Sequence, residues 1–415
     1  MSLYKRYGKA MIYSLLLIIF LSGSAYAQPF NFVKGAKSKF LPFKYVKNLI
    51  ILPVTINDKG PYNFILDTGI GVTLITDPSL TDSLGLKNLR TIRITGFGEG
   101  NELTAAITPS LKVGITKNIN GEISAAVLKE DAFNLSAYTG IPIHGLIGYE
   151  FFSSFIVRIN YSTNSLRLYS PYYKYAPRKG YRIPITIEEK KPYLIAQLSV
   201  VPGKSTQAKL IIDTGAGHPI SLETDSAVPY KVPEPRIRAN LGVGLSGAIN
   251  GYISRIPMVK LGKYELKNVI TAFPDYRDAA GKVGAINRNG NVGNTILSRF
   301  TIVLDYNNNA MYLRPNSKIK AAFEHDMSGM ELAQAPPDYR RLFITRVEPG
   351  SAAEEAGLEE NDEILEINLK PITEIGMESI AELFRSGNKR SFMLRLLPHG
   401  ETKSQIVILT LKRRI

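Results

Sequence analysis

The chain has 415 residues, which is enough for about two to four domains with a large apolar core. It contains no cysteine, and this excludes disulfides, thiol nucleophiles and metal sites built on cysteine. The formal net charge of +15 favours anionic surfaces in general, but the lysines and arginines are scattered and no nucleic-acid recognition motif accompanies them. We therefore expect a solvated basic surface and no nucleic-acid partner.

The first 27 residues have the pattern of a secretory signal peptide. A basic stretch over residues 5–9 precedes an apolar run over residues 11–21, and Ala25-Tyr26-Ala27 gives a small-x-small cleavage pattern. An uncleaved anchor helix is disfavoured because the apolar run is short for a bilayer span. The segment predicts an exported protein, periplasmic or secreted, from a Gram-negative bacterium. The mature chain would begin at Gln28 and have no membrane span.

Residues 28–42 are interpreted as an irregular leader, and the two segments that follow, 43–176 and 177–316, have the same strand-rich character. In both segments, short β-branched and aromatic runs alternate with Gly, Pro and Asn turns, and helical periodicity is almost absent. Each segment ends with a glycine, an apolar stretch, a strand, an Asn-containing turn and a second strand. This repetition predicts an internal duplication.

The duplication is sharpest at a tripeptide that occurs twice after an apolar run. Asp67-Thr68-Gly69 and Asp213-Thr214-Gly215 lie 146 positions apart. Gly96 and Gly98 recur at the same offset as Gly242 and Gly244, and Gly148 recurs as Gly293 after 145 positions. Two copies of one unit, each with a carboxylate after a buried strand, predict paired carboxylates at a pseudo-twofold interface. A single Asp-Thr-Gly would more simply be a turn with a capping aspartate.

The composition changes after Pro315, and residues 322–415 resemble a PDZ domain of the bacterial secreted-protease type. The resemblance rests on the stretches FITRV (343–347), PGSAA (349–353), AGL (356–358) and DEILEIN (362–368). It implies a β-sandwich with two helices and a groove for the C-terminus of a peptide. The groove residues that we infer from it are Arg341, Leu342, Phe343 and Ile344 on the carboxylate loop, and Ile380 and Phe384 on the partner helix.

The two Asp-Thr-Gly motifs resemble those of aspartic proteases, most closely the bacterial retropepsin-like branch, here duplicated within one chain. The resemblance implies a mainly β, two-lobed pseudo-twofold acid-protease β-barrel fold, in which Asp67 and Asp213 are the catalytic pair. It also implies supporting roles for Thr68 and Thr214, which would bond across the interface, and for Gly69 and Gly215, which would permit close backbone approach. No metal or other cofactor is expected.

The glycine-rich segments about 30 residues after each aspartate correspond to the flaps of this family. Gly96, Phe97 and Gly98 would form one flap, and Gly242, Val243 and Gly244 the other, with Phe97 and Val243 facing the cleft. The alternative is an ordinary glycine-containing hairpin. The sequence leaves open whether both flaps cover the substrate or only one does.

The two copies differ beside their aspartates. Ile70 stands where the family has a small residue, whereas Ala216 conforms, and Asn291 is a polar substitution in the second apolar-Gly element. Each histidine alone is most simply a surface or packing residue, and for His218, which follows the second motif, the alternative is that it tunes the pair. These differences keep a loss of activity in consideration.

The function that we predict is an exported aspartic endopeptidase, a hydrolase that acts on peptide or protein substrates. Its PDZ domain would recruit a substrate or partner by its C-terminus, although this domain could instead be a lid or tether. A monomer suffices, because one chain supplies both aspartates. The main alternative is a catalytically inactive protein with a protease fold that binds peptides, and a second alternative is a processing enzyme dedicated to one or two targets.

Overall fold

The computed structural model describes residues 29–87, 89–94, 103–173, 175, 180–223, 230–244, 247–275 and 288–415. The fold is mainly β. In chain order the strands are β1 Phe30–Phe32, β2 Ser38–Pro42, β3 Lys44–Val46, β4 Leu49–Ile56, β5 Lys59–Leu66, β6 Thr73–Ile75, β7 Arg90–Ile94, β8 Leu103–Thr116, β9 Ile119–Leu128, β10 Gly145–Ile147, β11 Ile156–Asn160, β12 Ser165–Tyr169, β13 Tyr181–Pro184, β14 Thr186–Glu188, β15 Lys191–Ser199, β16 Thr206–Ile212, β17 Ile220–Leu222, β18 Arg236–Gly244, β19 Gly247–Leu261, β20 Tyr264–Pro274, β21 Gly290–Val292, β22 Phe300–Asp305, β23 Ala310–Pro315, β24 Met330–Ala335, β25 Arg341–Val347, β26 Glu363–Ile367, β27 Lys370–Pro371, β28 Ser391–Leu397 and β29 Gln405–Thr410.

The helices in the described part of the chain are short. The α-helices are α1 Leu80–Ser83, α2 Leu135–Thr139, α3 Tyr149–Ser154, α4 Asn294–Leu297, α5 Ala352–Glu355 and α6 Met377–Phe384, and the 3-10 turns are Val33–Gly35, Ser317–Lys320 and Ile372–Glu374. In the ranges described above, none of these helices has the length and apolarity needed to span a membrane.

The two halves of the protease region have matching sheets. The first lobe orders its strands β1-β9-β6-β10-β5-β4-β8-β7, with β3 paired to β4, and the second orders them β14-β15-β16-β21-β17-β20-β19-β18. In each lobe the strand that precedes an aspartate runs parallel to the strand of the second apolar-Gly element: β5 pairs with β10, and β16 pairs with β21. The internal repeat in the sequence is therefore a repeat in strand topology.

A third sheet joins the lobes, with the order β13-β23-β22-β11-β12-β2. At its centre β11 of the first half pairs antiparallel with β22 of the second, in register Val157 with Leu304 and Ile159 with Ile302. The four side chains are buried, and they belong to one apolar core that extends through both lobes. Burial of aliphatic side chains from both halves makes the lobes a single packed unit.

The prediction of an irregular leader over residues 28–42 is wrong for the part that the structure describes. Phe30–Phe32 pairs with β9, and Ser38–Pro42 pairs with β12 at the edge of the interlobe sheet. Phe30 is fully buried and its ring meets that of Phe151 at 6.3 Å between centroids. Phe30 and Leu41 lie in the core, and the backbone of this segment pairs with strands that would otherwise be sheet edges.

The C-terminal PDZ domain has its own sheet, ordered β24-β25-β26-β28-β29 with β27 paired to β26, and its own apolar core. Ser351 caps helix α5, because its hydroxyl accepts a hydrogen bond from the Glu354 amide. The sheet ends at β24 on one side and at β29 on the other, and the two-residue strand β27 pairs only with β26.

Candidate active site

Both aspartates lie in loops that follow a central strand and are fixed by the same backbone contact. The Asp67 amide donates to the Ile147 carbonyl at 2.9 Å, and the Asp213 amide donates to the Val292 carbonyl at 2.9 Å. Because β10 and β21 run parallel to the strands that carry the aspartates, each second apolar-Gly element lies directly beside an aspartate loop. The structure thus brings together the two carboxyl groups that the sequence repeat predicts.

The threonines of the two motifs lock the loops together across the lobe interface. The Thr68 amide donates to Thr214 Oγ1 at 3.1 Å, and the Thr214 amide donates to Thr68 Oγ1 at 2.9 Å. In turn Thr68 Oγ1 donates to the Ile212 carbonyl and Thr214 Oγ1 to the Leu66 carbonyl, at 2.5 and 2.8 Å. Both side chains are buried, so these reciprocal bonds satisfy groups that water cannot reach and fix the distance between the loops.

The glycines of the motifs leave the space that the opposite carboxylate occupies. A Cβ at Gly215 would lie 2.3 Å from Asp67 Oδ2, and a Cβ at Gly69 would lie 3.1 Å from Asp213 Oδ1. Each glycine amide also donates to Oδ1 of its own aspartate, at 2.6 Å for Gly69 and 3.0 Å for Gly215. The two loops can therefore approach this closely only with glycine at positions 69 and 215, and both carboxyl groups lie in the space between the loops.

The electrostatic environment favours one proton on the pair. Burial raises the pKa of Asp67 to about 8, and the negative charge of the neighbouring Asp213 contributes to the rise. The Gly69 amide and the charge of Lys191 oppose this shift. Two carboxylates in contact cannot both ionise cheaply, so the pair carries a shared proton. Only 7% of the Asp67 surface is exposed, which explains why burial is the main cause of its raised pKa.

The second lobe adds a polar chain that the first lobe lacks. Asn291 Nδ2 donates to Asp213 Oδ2 at 2.7 Å, and the Asn291 side-chain oxygen pairs with His218 Nε2 at 2.8 Å. The amide oxygen only accepts, so the His218 nitrogen is the donor and fixes the orientation of the amide. At the matching positions of the first lobe stand Val72 and Leu146, which are apolar.

The large side chain of Ile70 does not separate the pair. Its Cγ1 lies 2.6 Å from the place that a Cβ on Gly148 would take, so Ile70 packs over this glycine. In the second lobe the smaller Ala216 lies in the equivalent place, with its Cβ 3.3 Å from a Cβ on Gly293. The two departures that kept inactivity in consideration, Ile70 and Asn291, are both compatible with paired carboxylates.

Only the second predicted flap can be located. Gly242, Val243 and Gly244 end β18 and pair with β19 as one hairpin, in which 46% of the Val243 surface is exposed. Gly96, Phe97 and Gly98 lie outside the described residues, between strands β7 and β8, which pair from Ile94 with Leu103 onward. The second half therefore has a β-hairpin at the predicted place, the first half has the antiparallel pair β7 and β8 on either side of it, and the role of either segment as a flap stays a prediction.

The peptide-binding residues proposed for the PDZ domain need correction. Arg341, Leu342, Phe343 and Ile344 form no loop: they belong to β25, which pairs with β24 on one side and β26 on the other. An inner strand has no free edge, and so it cannot accept a peptide strand. Ile380 and Phe384 are each 1% exposed and pack in the core of the domain. The edge strand connected to helix α6 is β24, since the Met327 amide just before it donates to the Phe384 carbonyl at 3.0 Å.

Sequence reasoning missed several residues that contact or surround the pair. Asn294 is fully buried and donates to the Thr214 carbonyl at 2.6 Å and to the Asn48 carbonyl at 2.7 Å. Lys191 and the buried Tyr306 lie within electrostatic reach of Asp67. Isolated Asn, Lys and Tyr residues carry no signal in a single sequence. Within the described part of the chain, no group of three or more His, Asp or Glu side chains has a metal-binding arrangement.

Comparison with known families agrees with this geometry. Residues 52–151 match the family model described as aspartyl protease, and residues 343–397 match that of a PDZ domain. The chain carries an aspartyl protease domain and a PDZ domain. No curated protein matches it.

Solved structures similar to the chain include an aspartic proteinase from Irpex lacteus, with 13% identity and a TM-score of 0.45 over 68% of this chain and 99% of that one. Another is a photosystem II D1 C-terminal processing protease, with 17% identity and a TM-score of 0.20 over 21% of this chain. The chain spans 23% of the length of that second protein.

Proposed function

We propose that the protein is an exported aspartic endopeptidase that hydrolyses peptide bonds with Asp67 and Asp213. The observation that carries the proposal is the closeness of the two carboxyl groups, whose Oδ1 atoms lie 3.0 Å (Asp67) and 3.1 Å (Asp213) from the position of a Cβ on Gly69, with the loops held by the threonine bonds across the lobe interface. Paired carboxylates that share one proton supply both the base and the acid that amide hydrolysis needs. A single chain contributes both groups.

The surroundings of the two carboxyl groups suggest their roles. Asp67 has the raised pKa and carries the proton, while the Asn291 amide stabilises negative charge on Asp213. Asp213 takes a proton from a water molecule, and the water oxygen attacks the scissile carbonyl carbon. Asp67 donates its proton to the carbonyl oxygen, which gives a neutral tetrahedral diol. As the C–N bond breaks, Asp213 returns a proton to the leaving nitrogen and a diol hydroxyl reprotonates Asp67.

The test is cleavage of a diverse peptide mixture by residues 28–415, followed by mass spectrometry from acid to neutral pH. We expect cuts that disappear in both Asp67→Asn and Asp213→Asn. Asp305→Asn serves as a matched control, because Asp305 is also buried but its carboxylate bonds to Asn308 in a turn. Cuts that survive in either dyad variant would contradict the proposal. Peptides that bind the wild-type protein without being cut would favour the peptide-binding alternative.

Export is a separate part of the proposal and rests on the pattern of residues 1–27. Expression of the full chain in a Gram-negative host, followed by fractionation and N-terminal sequencing, tests it. We expect a periplasmic or secreted product that begins at Gln28. A cytoplasmic product that retains Met1 would contradict this part and leave the catalytic proposal unchanged.

A further inference from the structure

The PDZ domain has an edge strand, β24, that lies beside its longest helix, α6. Between them lies a groove. At one end of the groove the Met327 amide, just before β24, donates to the carbonyl of Phe384 at the end of α6. At the other end a Cβ on Gly140 would lie 2.9 Å from Gln334 Cδ of β24 and 3.2 Å from Met377 Cγ of α6. Strand addition requires such an edge.

The groove is not open, because the first protease lobe lies against it. Helix α2 packs on β24, and Gly140, which ends this helix with a φ of 73°, contacts both walls of the groove. Nearby, the Lys47 amide donates to Glu378 Oε2 of α6 at 3.0 Å. Glu331 of β24 accepts a hydrogen bond at 3.3 Å from Asn240, a residue of the hairpin in the second lobe.

The backbone amides of the loop that leads into β24 are also bonded, in this case by side chains of the same loop. Asp326 Oδ1 accepts from the Ser328 amide at 2.8 Å and from the Gly329 amide at 3.4 Å, and Ser328 Oγ accepts from the Met330 amide at 3.1 Å. Consecutive backbone amides of this kind are what captures a terminal carboxylate. Here the side chain of Asp326 occupies them.

PDZ domains bind an extended peptide at an edge strand beside a helix, and here that groove lies between β24 and α6. We propose that α2 of the first lobe occupies this groove in the resting protein and so blocks it. An extended peptide that adds to β24 must displace α2. Its terminal carboxylate must also replace Asp326 as the acceptor for the Ser328 and Gly329 amides. The domain is therefore a receptor closed by its own protease region. Its ligand is an extended polypeptide segment with a free C-terminus.

The closed groove is connected to the Asp213 loop by a two-residue turn. Lys47 and Asn48, both with positive φ, join β3 to β4. Lys47 contacts Glu378 of the PDZ domain, while Asn48 Nδ2 donates to the Gly217 carbonyl at 3.1 Å and the Asn48 carbonyl accepts from Asn294. Opening the groove thus changes a contact that holds the second aspartate loop. This effect on activity rests on the proposed function. The proposal that α2 occupies the groove is independent of it.

The absence of cysteine allows a direct test with an engineered lock. A Cβ at Gly140 would lie 1.7 Å from Gln334 Oε1, so Gly140→Cys with Gln334→Cys removes this clash and places two cysteines on facing sides of the contact, to be joined by oxidation. Cysteine is strained at the φ of 73° of Gly140, and the second comparison below does not depend on it. The control pair is Ser391→Cys with Thr410→Cys, whose side chains meet at 2.9 Å between β28 and β29, away from the groove. Both pairs are made in full-length protein with Asp213→Asn, so that bound peptides are not cut.

The probe is an array of random synthetic decapeptides with free C-termini. We expect the reduced lock variant to bind a subset of them at least tenfold more strongly than its oxidised form, and the control pair to bind equally in both forms. Equal binding by the oxidised and reduced lock variant, or no binding by either, would overturn the proposal. Since binding is measured without cleavage, failure of the proposed function would leave this result unaffected.

A second comparison covers the case in which the cysteine pair does not fold. Glu378→Ala removes the acceptor for Lys47, whereas Glu382→Ala removes an exposed carboxylate from the same helix. We expect Glu378→Ala to bind the array about three- to tenfold more tightly than Glu382→Ala, because only the first loosens the lobe from the groove. Equal affinities would contradict the proposal.

Discussion

The two lobes of the protease region hold their aspartates with the same backbone arrangement but surround them with different side chains. The strand pairings, threonine bonds and glycine contacts repeat from one lobe to the other. Beside Asp213, however, lies the chain from His218 through Asn291, where the first lobe has Val72 and Leu146. A duplicated scaffold can thus place two identical groups while their neighbours give them unequal roles in acid–base chemistry.

The largest expected effect comes from filling the space between the loops. In Gly215→Ala the new methyl group would lie 2.2 Å from Asp67 Cγ, whereas in Gly69→Ala the nearest carboxyl oxygen is 3.0 Å away. We expect kcat/KM to fall by at least about 10²-fold in Gly215→Ala, since small displacements of catalytic groups have effects of this size. Gly69→Ala should lose less.

Gly376→Ala is the control for these two variants, because nothing lies within 4 Å of a Cβ at that position. It should retain wild-type activity. If Gly69→Ala were the more severe of the two dyad variants, the described inequality between the loops would be wrong.

The second largest effect is expected when the hydrogen bond from the Asn291 amide to Asp213, which has no counterpart in the first lobe, is removed. Asn291→Leu gives the second lobe the side-chain type of the first and deletes the bond to Asp213 Oδ2. Hydrogen bonds to charged groups contribute about 1.5–3 kcal/mol, so we expect kcat/KM to fall about 10- to 100-fold. Steady-state peptide cleavage measures this change.

Asn289→Leu is the matched control for Asn291→Leu. Asn289 accepts a backbone hydrogen bond from Lys209 at 2.8 Å, and no contact with either aspartate is involved in that bond. This variant should lose stability with little change in kcat. Equal losses of kcat in both variants would show that Asn291 acts only through the fold.

The smallest effect concerns His218, which acts on Asp213 through Asn291. His218→Ala leaves the amide without its orienting donor, and a loss of about 1 kcal/mol corresponds to a few-fold decrease in kcat/KM. His218→Gln retains a side-chain N–H and should recover most of the activity. A Gln variant no better than Ala would contradict the orienting role.

The paired site was predictable because its determinants are local. Asp67-Thr68-Gly69 and its repeat encode the turn, the threonine bond and the close approach within three residues each. The role of Asn291 was not predictable, since the contact with His218 joins residues 73 positions apart. The sequence marked both residues as departures from the family, but only the folded chain places one beside the other.

The general fold was predictable from the sequence, but the positions of the sheet edges were not. Inner and edge strands have similar sequence patterns. The sequence therefore placed the groove at residues of β25, although the edge strand is β24. The same limit applies to residues 28–42, whose strands pair with partners about 90 to 130 positions away. Edge positions depend on long-range pairing, and local patterns do not report it.

The proton on Asp67 is the central claim of this comparison, and the pH dependence of the unfolding free energy tests it without requiring activity. Because the pKa of Asp67 is raised in the folded protein, its contribution to stability is complete below the ordinary carboxyl pKa and is lost as the pH rises through the raised value. Asp67→Asn should therefore be more stable than the wild type near neutral pH, by on the order of 1 kcal/mol or more, and this advantage should vanish below about pH 4. In Asp213→Asn the loss of stability with rising pH should persist, since burial is its main cause. If the loss persisted in Asp67→Asn and disappeared in Asp213→Asn, the assignment of the proton to Asp67 would be wrong.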